Sequence, residues 1–500
     1  MLFSSLEFIY LFLPPVLTVF LLLRSLRMET AIICWLILAS LAFYMWWNPP
    51  YVLLLLGSVG FNYCLHLALQ NNRSRILFAI GVIVNLGLLG LFKYADFLIG
   101  NFNAVIGKSV PELGLILPLA ISFYTFQQIS FLHDTYKGDL ITCDFKRYVL
   151  FVTFFPQLIA GPIVLQKDTV PQFKLTSFSN KSALNLLVGA TLFSIGLFKK
   201  IVLADGIAPS ANAVFLMADQ GQAVPVEAAW MGAFAYTFQI YFDFSGYCDM
   251  ALGLARMFGI RLPINFNSPY QSLSIVEFWR RWHITLSRFL RDYLYIPLGG
   301  NRSGFLGKKG NLMITMLLGG LWHGAGWNFV IWGGLHGSYL MINHAWCGSF
   351  IGQAAKSIVP NVFYKCLCWI LTFGAVVIAW VFFRAETFGG ALIILQAMAG
   401  FSESHASGWR DIIPDPTNVM TMLTALLVIV IALPNSIELT RYYRPVISTS
   451  NEVGRPLSML GWLSWRPSQI WGCLIAIMGL VGIVQIYRLN DLTEFIYFNF

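Results

Sequence analysis

The 500-residue sequence predicts an all-α, polytopic integral membrane protein, and three observations carry that prediction. Charged residues make up 11% of the chain, under half of the roughly 25% usual in soluble proteins. The set AVILMFWYC supplies 57% and the mean hydropathy is +0.69, more apolar surface than a soluble chain could cover. Thirdly, the apolar residues gather into runs of about 20, the length at which a helix crosses a hydrocarbon core. Low charge with high hydrophobicity also excludes a disordered chain.

Those runs lie near residues 6–23, 30–48, 51–69, 76–97, 113–132, 147–165, 183–204, 226–246, 311–332, 364–384, 418–434 and 469–487. The first lacks a basic leader and a small-residue cleavage site, so it reads as a retained span. Arg24 and Arg27 follow the first run, and Arg73 and Arg75 follow the third. The turn between the second and third, Asn48-Pro49-Pro50, carries no positive charge. Because basic loops stay cytoplasmic, this alternation predicts an extracytoplasmic N-terminus. The same bias accounts for a net charge of +9 without a nucleic-acid partner. The eight cysteines are scattered with no C-x-x-C pair, which predicts neither a disulfide framework nor a metal site. No linker, charge run or repeat divides the chain, which reads as one integral domain over residues 1–500.

Chemistry is concentrated in residues 241–337. Segment 270–302 has a helical pattern but is too charged to span, which predicts an interfacial helix. Ser274 and Glu277 form a capping box, and Glu277 with Arg281 is an i,i+4 pair. Arg280, Arg281, Arg288 and Arg291 cluster on its polar face, where several guanidinium groups can hold phosphates.

The next stretch, NLMITMLLGGLWHGAGWNFVIWGGLHG at 311–337, places His323 and His336 in an apolar run. An ionisable group at that depth is costly and by default faces a cavity or pathway. Imidazole can take a proton from a hydroxyl near neutral pH, so His323 is the candidate base. The glycines around it leave room for a substrate or for another backbone. His336, thirteen residues on, would point about 220° round a straight helix from His323. It is either a second site residue or a structural one. Upstream, Asp243 and Asp249 in YFDFSGYCDMALGLAR are expected to pair with an arginine or a backbone donor and to hold architecture.

YFDFSGYCDMALGL, FWRRWHITLSRFLRDYLYIPLGGNR and LLGGLWHGAGW closely resemble motifs of the membrane-bound O-acyltransferases, in the bacterial branch typified by alginate O-acetyltransferase. Weaker matches, FKYADF, FFPQLIAGPI and VFFRAE among them, extend the resemblance over most of the chain. Cys248 departs from the serine expected in YFDFSGYSDM. The resemblance implies a multi-helix bundle around a central tunnel, with re-entrant and interfacial helices, in the bacterial inner membrane. It implies no bound cofactor and acetyl-CoA as the acyl donor. His323 falls on the family's essential histidine and His283 on its second polar position. The four arginines are then candidates for the donor's phosphates.

The C-terminal stretch 491–500 ends FIYFNF, similar to endings on related acetylation proteins whose tyrosine carries the acyl group outward. Tyr497 is therefore a candidate acyl carrier, serving an extracytoplasmic SGNH-type O-acetyltransferase. The other reading is an aromatic tail at the membrane interface. The expected function is O-acetylation of an exopolysaccharide or peptidoglycan. The alternatives are a D-alanyl-transferring relative with a carrier-protein thioester and, from another class, a secondary transporter.

Overall fold

The computed structural model describes every residue except 108, 140–142, 180, 303, 403–411, 414, 448–462, 489–494 and 497–500. Among the described residues the secondary structure is helical, with no strand beyond an isolated bridge between Pro263 and Ile447. Six helices among the described residues are long and apolar enough to cross a membrane: Glu7–Ser25, Tyr51–Asn71, Arg75–Ile106, Ser182–Asp219, Asn361–Arg384 and Gln469–Arg488. Shorter apolar helices include Glu29–Met45 and Phe388–Met398. The chain is a multi-pass membrane protein.

Several expected spans take other forms. Helix forms only from Ile121 in the run at 113–132, after Pro118. The run at 147–165 holds a helix at Phe145–Thr153 and one turn at Phe155–Leu158. Pro156 and the Gly161-Pro162 pair stop it from continuing. The run at 183–204 continues to Asp219 through a wider, π-type turn at Lys199–Ala204. The run at 311–332 breaks at Gly324–Gly326 into two helices, Gly304–His323 and Trp327–Gly348.

The residues gather into two compact units interleaved along the chain. The first comprises Met1–Phe198, Gly246–Ile264 and Ser436–Asn499. Its helices are joined by buried amides. Asn85 Nδ2 donates to Asn62 Oδ1 at 2.7 Å, Ser58 Oγ donates to Gln128 Oε1 at 2.9 Å, and Asn62 Nδ2 donates to Gln128 Oε1. Polar side chains act as glue between helices where lipid gives no hydrophobic drive to associate. Backbones also meet directly. A Cβ on Gly189 would lie 2.6 Å from the carbonyl oxygen of Gly253, and one on Gly196 would lie 2.5 Å from that of Gly246. The seven-residue spacing of both glycine pairs makes one continuous seam.

The second unit comprises Lys199–Ser245 and Asn265–Asn435 and contains the motif residues His283, His323 and His336. Its central feature is the antiparallel hairpin of Gly304–His323 and Trp327–Gly348. Gly333 packs with its Cα 3.1 Å from where a Cβ on Gly320 would stand. Gly320 thus admits the returning helix, which settles the choice between backbone and substrate in favour of backbone at that position. An apolar cavity of about 700 Å³, lined by Trp230, Phe234, Phe238, Phe373 and Leu423, opens elsewhere in this unit. Glu227 is the only ionisable residue among the described residues that line it, so they offer no paired groups for proton transfer.

Candidate active site

His323 is the last residue of the hairpin's first helix and is 2% exposed. The Gly324-Ala325-Gly326 turn fixes it at the hairpin tip. Aromatic rings surround it: Trp322 at 4.9 Å, Trp332 at 5.0 Å and Phe383 at 5.2 Å between ring centres.

The segment expected as one interfacial helix is broken at its centre. Helices Ile275–Arg281 and Ile284–Leu290 flank His283, which adopts φ 43° and ψ 53° and is fully buried. The left-handed conformation is uncommon for a residue with a Cβ, and such conformations concentrate at functional sites. The break turns His283 inward, to 6.4 Å from His323 between ring centres. The capping box and the ion pair stand as expected. Ser274 Oγ accepts from the Glu277 backbone N–H, and Arg281 meets Glu277 at 2.9 Å.

The hydrogen bonds around His283 determine its tautomer. Its Nδ1 lies 3.1 Å from Asn265 Oδ1, which also accepts from the Thr285 hydroxyl at 2.9 Å and the Thr285 backbone N–H at 3.3 Å. A backbone N–H can only donate, so the shared Asn265 atom is the oxygen. His283 Nδ1 therefore carries the proton, and Nε2 carries the lone pair. Burial pushes the pKa of this imidazole down to about 3, which keeps it neutral. Phe244 lies edge-on to His283 at 4.8 Å, so the YFDF, RRWH and GLWHGAG motifs converge on one place.

His336 is also fully buried, and its partner is an indole: Trp279 Nε1 donates to its Nδ1 at 3.3 Å. The straight helix assumed in the sequence does not exist. With the chain folded back after His323, Trp332 contacts both histidines, at 5.0 Å from His323 and 4.7 Å from His336.

The arginines differ in their surroundings. Arg280 is exposed and Arg288 is half-buried. Arg281 is held by Glu277 and also donates to the Asn267 carbonyl, while Arg291 pairs with Asp292 at 2.7 Å. The acids of YFDFSGYCDM are engaged by a lysine and a hydroxyl. Asp243 binds Lys200 at 2.7 Å, and Lys200 also meets Asp205 at 2.8 Å. Asp249 accepts from the Ser436 hydroxyl at 2.7 Å. Lys200 and Asn265 were missed by the sequence reading. A lysine ending an apolar run, LFSIGLFKK, was the available sign of the first.

Tyr497 lies outside the described residues, as does His405. Phe495 is described: it is 1% exposed and stacks on Tyr247 at 4.7 Å within the first unit. His66 is structural, bonded through Nδ1 to the Thr135 hydroxyl at 2.9 Å.

The chain is similar to known proteins over most of its length. The membrane-bound O-acyltransferase family profile matches residues 140–380, which include His283, His323 and His336. The chain is 47% identical over 397 residues to the peptidoglycan O-acetyltransferase of Helicobacter pylori, covering 74% of each protein. It is 42% identical over 440 residues to the probable alginate O-acetylase of Pseudomonas aeruginosa, covering 86% of this chain and 81% of that one. Similarity to the teichoic acid D-alanyltransferase of Streptococcus thermophilus is lower, 30% over 288 residues. Identity at this level, over most of both chains, leaves no room for a transporter that merely shares buried histidines. The chain belongs to the membrane-bound O-acyltransferase family and is an acyltransferase.

Proposed function

We propose that this enzyme takes acetyl groups from cytoplasmic acetyl-CoA and passes them across the inner membrane for O-acetylation of an exopolysaccharide or peptidoglycan. The observation that carries the reading is the buried His323–His283 pair, in a chain 47% identical to a peptidoglycan O-acetyltransferase. His323 is the base. It takes the proton of an acceptor hydroxyl, and the freed oxygen attacks the thioester carbon. The C–S bond then breaks, and the thiolate recovers the proton from His323. His283, neutral and fixed in one tautomer, offers its Nε2 lone pair to polar groups of the reacting complex. Arg280, Arg281, Arg288 and Arg291 are the candidates for the donor's phosphates.

The first acceptor in this reading is the hydroxyl of Tyr497. Its acetyl ester would deliver the group to an extracytoplasmic SGNH-type transferase acting on the polymer. The basic loops near Arg24, Arg27, Arg73 and Arg75 support a cytoplasmic donor side and an extracytoplasmic N-terminus.

The test is transfer from radiolabelled acetyl-CoA by the purified full-length protein, followed by mass spectrometry of the C-terminal peptide, for wild type, His323→Ala and Tyr497→Phe. Acetylated Tyr497 in wild type and in neither variant is the expected result. Turnover that requires His323 but leaves Tyr497 unmodified would remove the carrier step. Absence of turnover with acetyl-CoA, and turnover with a D-alanyl carrier-protein thioester, would replace the donor.

A further inference from the structure

The returning helix of the hairpin, Trp327–Gly348, turns Trp332 and His336 to the same buried face at i and i+4. Trp332 is 1% exposed and His336 is fully buried. Trp279 donates to His336 Nδ1, so that nitrogen holds the lone pair and the proton of the neutral ring is on Nε2. Nε2 of His336 and Nε1 of Trp332 are both buried N–H groups with no hydrogen-bond acceptor among the described residues. Buried donors are almost always paired. Here two of them lie on rings 4.7 Å apart, and one of those rings is 5.0 Å from the ring of His323.

Two N–H donors beside a general base, in an aromatic shell that excludes water, have the chemistry to receive an oxygen on which negative charge develops. We propose that His336 Nε2–H and Trp332 Nε1–H are the donor pair for the carbonyl oxygen of the acyl thioester. The proposal rests on the acyl-transfer reading above. When the deprotonated hydroxyl oxygen bonds to the acyl carbon, the carbonyl π electrons move onto its oxygen. The two N–H groups stabilise that oxyanion. As the carbonyl re-forms, the C–S bond breaks, and the thiolate leaves with the proton held by His323. Trp279 acts one step back: by occupying Nδ1 it keeps the His336 proton on Nε2.

The two nitrogens of His336 can be tested separately. In His336→Asn the side-chain oxygen still accepts from Trp279, but the donor at the Nε2 position is gone. In His336→Gln the longer side chain places an amide N–H near that position and gives up the acceptor. With acetyl-CoA as the probe, His336→Asn is expected to lower kcat about 10²-fold with KM little changed, and His336→Gln to stay within about tenfold of wild type. Trp332→Phe, which keeps a ring and removes the N–H, is expected to follow His336→Asn and carries the test if that variant does not fold. The substrate gives a second readout. Acetyldithio-CoA, with sulfur in place of the carbonyl oxygen, is a poor acceptor, so its penalty in wild type is expected to shrink in His336→Asn.

A purely structural role for His336 predicts the reverse order, with His336→Gln the worse variant and the sulfur penalty unchanged. That result would overturn the donor pair. So would wild-type kcat in both His336→Asn and Trp332→Phe while His323→Ala is inactive, an outcome that leaves the acyl-transfer reading intact. A wild-type protein that turns over no thioester would sink that reading and this one with it.

Discussion

His283 Nδ1 and Asn265 Oδ1 lie 3.1 Å apart, and that contact decides which face of the imidazole is basic. Asn265 contributes no atom to the chemistry proposed above. It acts by orienting a ring, as the carboxylates beside catalytic histidines do. Asn265→Leu is therefore expected to lower kcat about 10²-fold while the protein still folds, because misplacing a reacting group by about 1 Å costs that much. Steady-state transfer rates against acetyl-CoA, with size-exclusion profiles as the folding control, check this.

The neutral, buried state of His283 also links stability to pH. An unfolded histidine titrates near 6.5, whereas His283 in the folded chain titrates at about 3. Between those values the unfolded chain binds the proton and the folded one does not, so acid favours unfolding. The contribution of His283 is complete above pH 6.5 and is lost as pH falls toward 3. The melting temperature of detergent-solubilised protein should fall over that window, less steeply in His283→Asn. Parallel slopes would contradict the assignment.

Lys200, Asp205 and Asp243 bury one cation between two carboxylates, with side chains 5%, 3% and 1% exposed. Removing the cation alone leaves two buried acids without their shared lysine. Lys200→Met is expected to destabilise the protein by about 3–5 kcal/mol, the usual cost of breaking a buried ion pair by removing one partner. The triple variant Lys200→Met, Asp205→Asn, Asp243→Asn should recover much of that loss. Thermal unfolding of the three proteins side by side is the measurement.

At the hairpin, Gly333→Ala would set a methyl group against the Met316 carbonyl. Overpacking of this kind costs about 1–3 kcal/mol and here would spread the two helices that carry His323, Trp332 and His336. Activity should fall together with melting temperature. Gly334→Ala is the control, since its nearest neighbour stands at 3.5 Å and belongs to a movable leucine side chain.

The membrane class, the motif residues and the capping box at Ser274 were legible in the sequence because each follows from composition or short spacing. The hairpin was half legible: two glycines within three residues after His323 signal a turn, but the apolar character of 311–332 outweighed them as a span. The break at His283 left no mark, since a left-handed histidine looks like any other in a helical pattern, and the i,i+4 pair of Glu277 with Arg281 before it supported continuity. The partners of Asp243 and His283 lie 43 and 18 residues away, and only tertiary packing brings them near. Local pattern reads face and period, whereas these contacts depend on where helices return.

The helix that ends at His323 also has a direction. Its peptide dipoles sum to a partial negative charge at the C-terminal end, carried by the last carbonyls, which lack partners further along the helix. A proton moved onto His323 during transfer would turn the imidazole into a cation at that very end. The field there favours such a cation by about 0.3–1 kcal/mol in exposed settings, and by more where water is scarce. In the proposed reaction, ending the helix at His323 gives the transient imidazolium a counter-charge made of backbone, in a place where an acidic side chain would compete with the imidazole for the same proton.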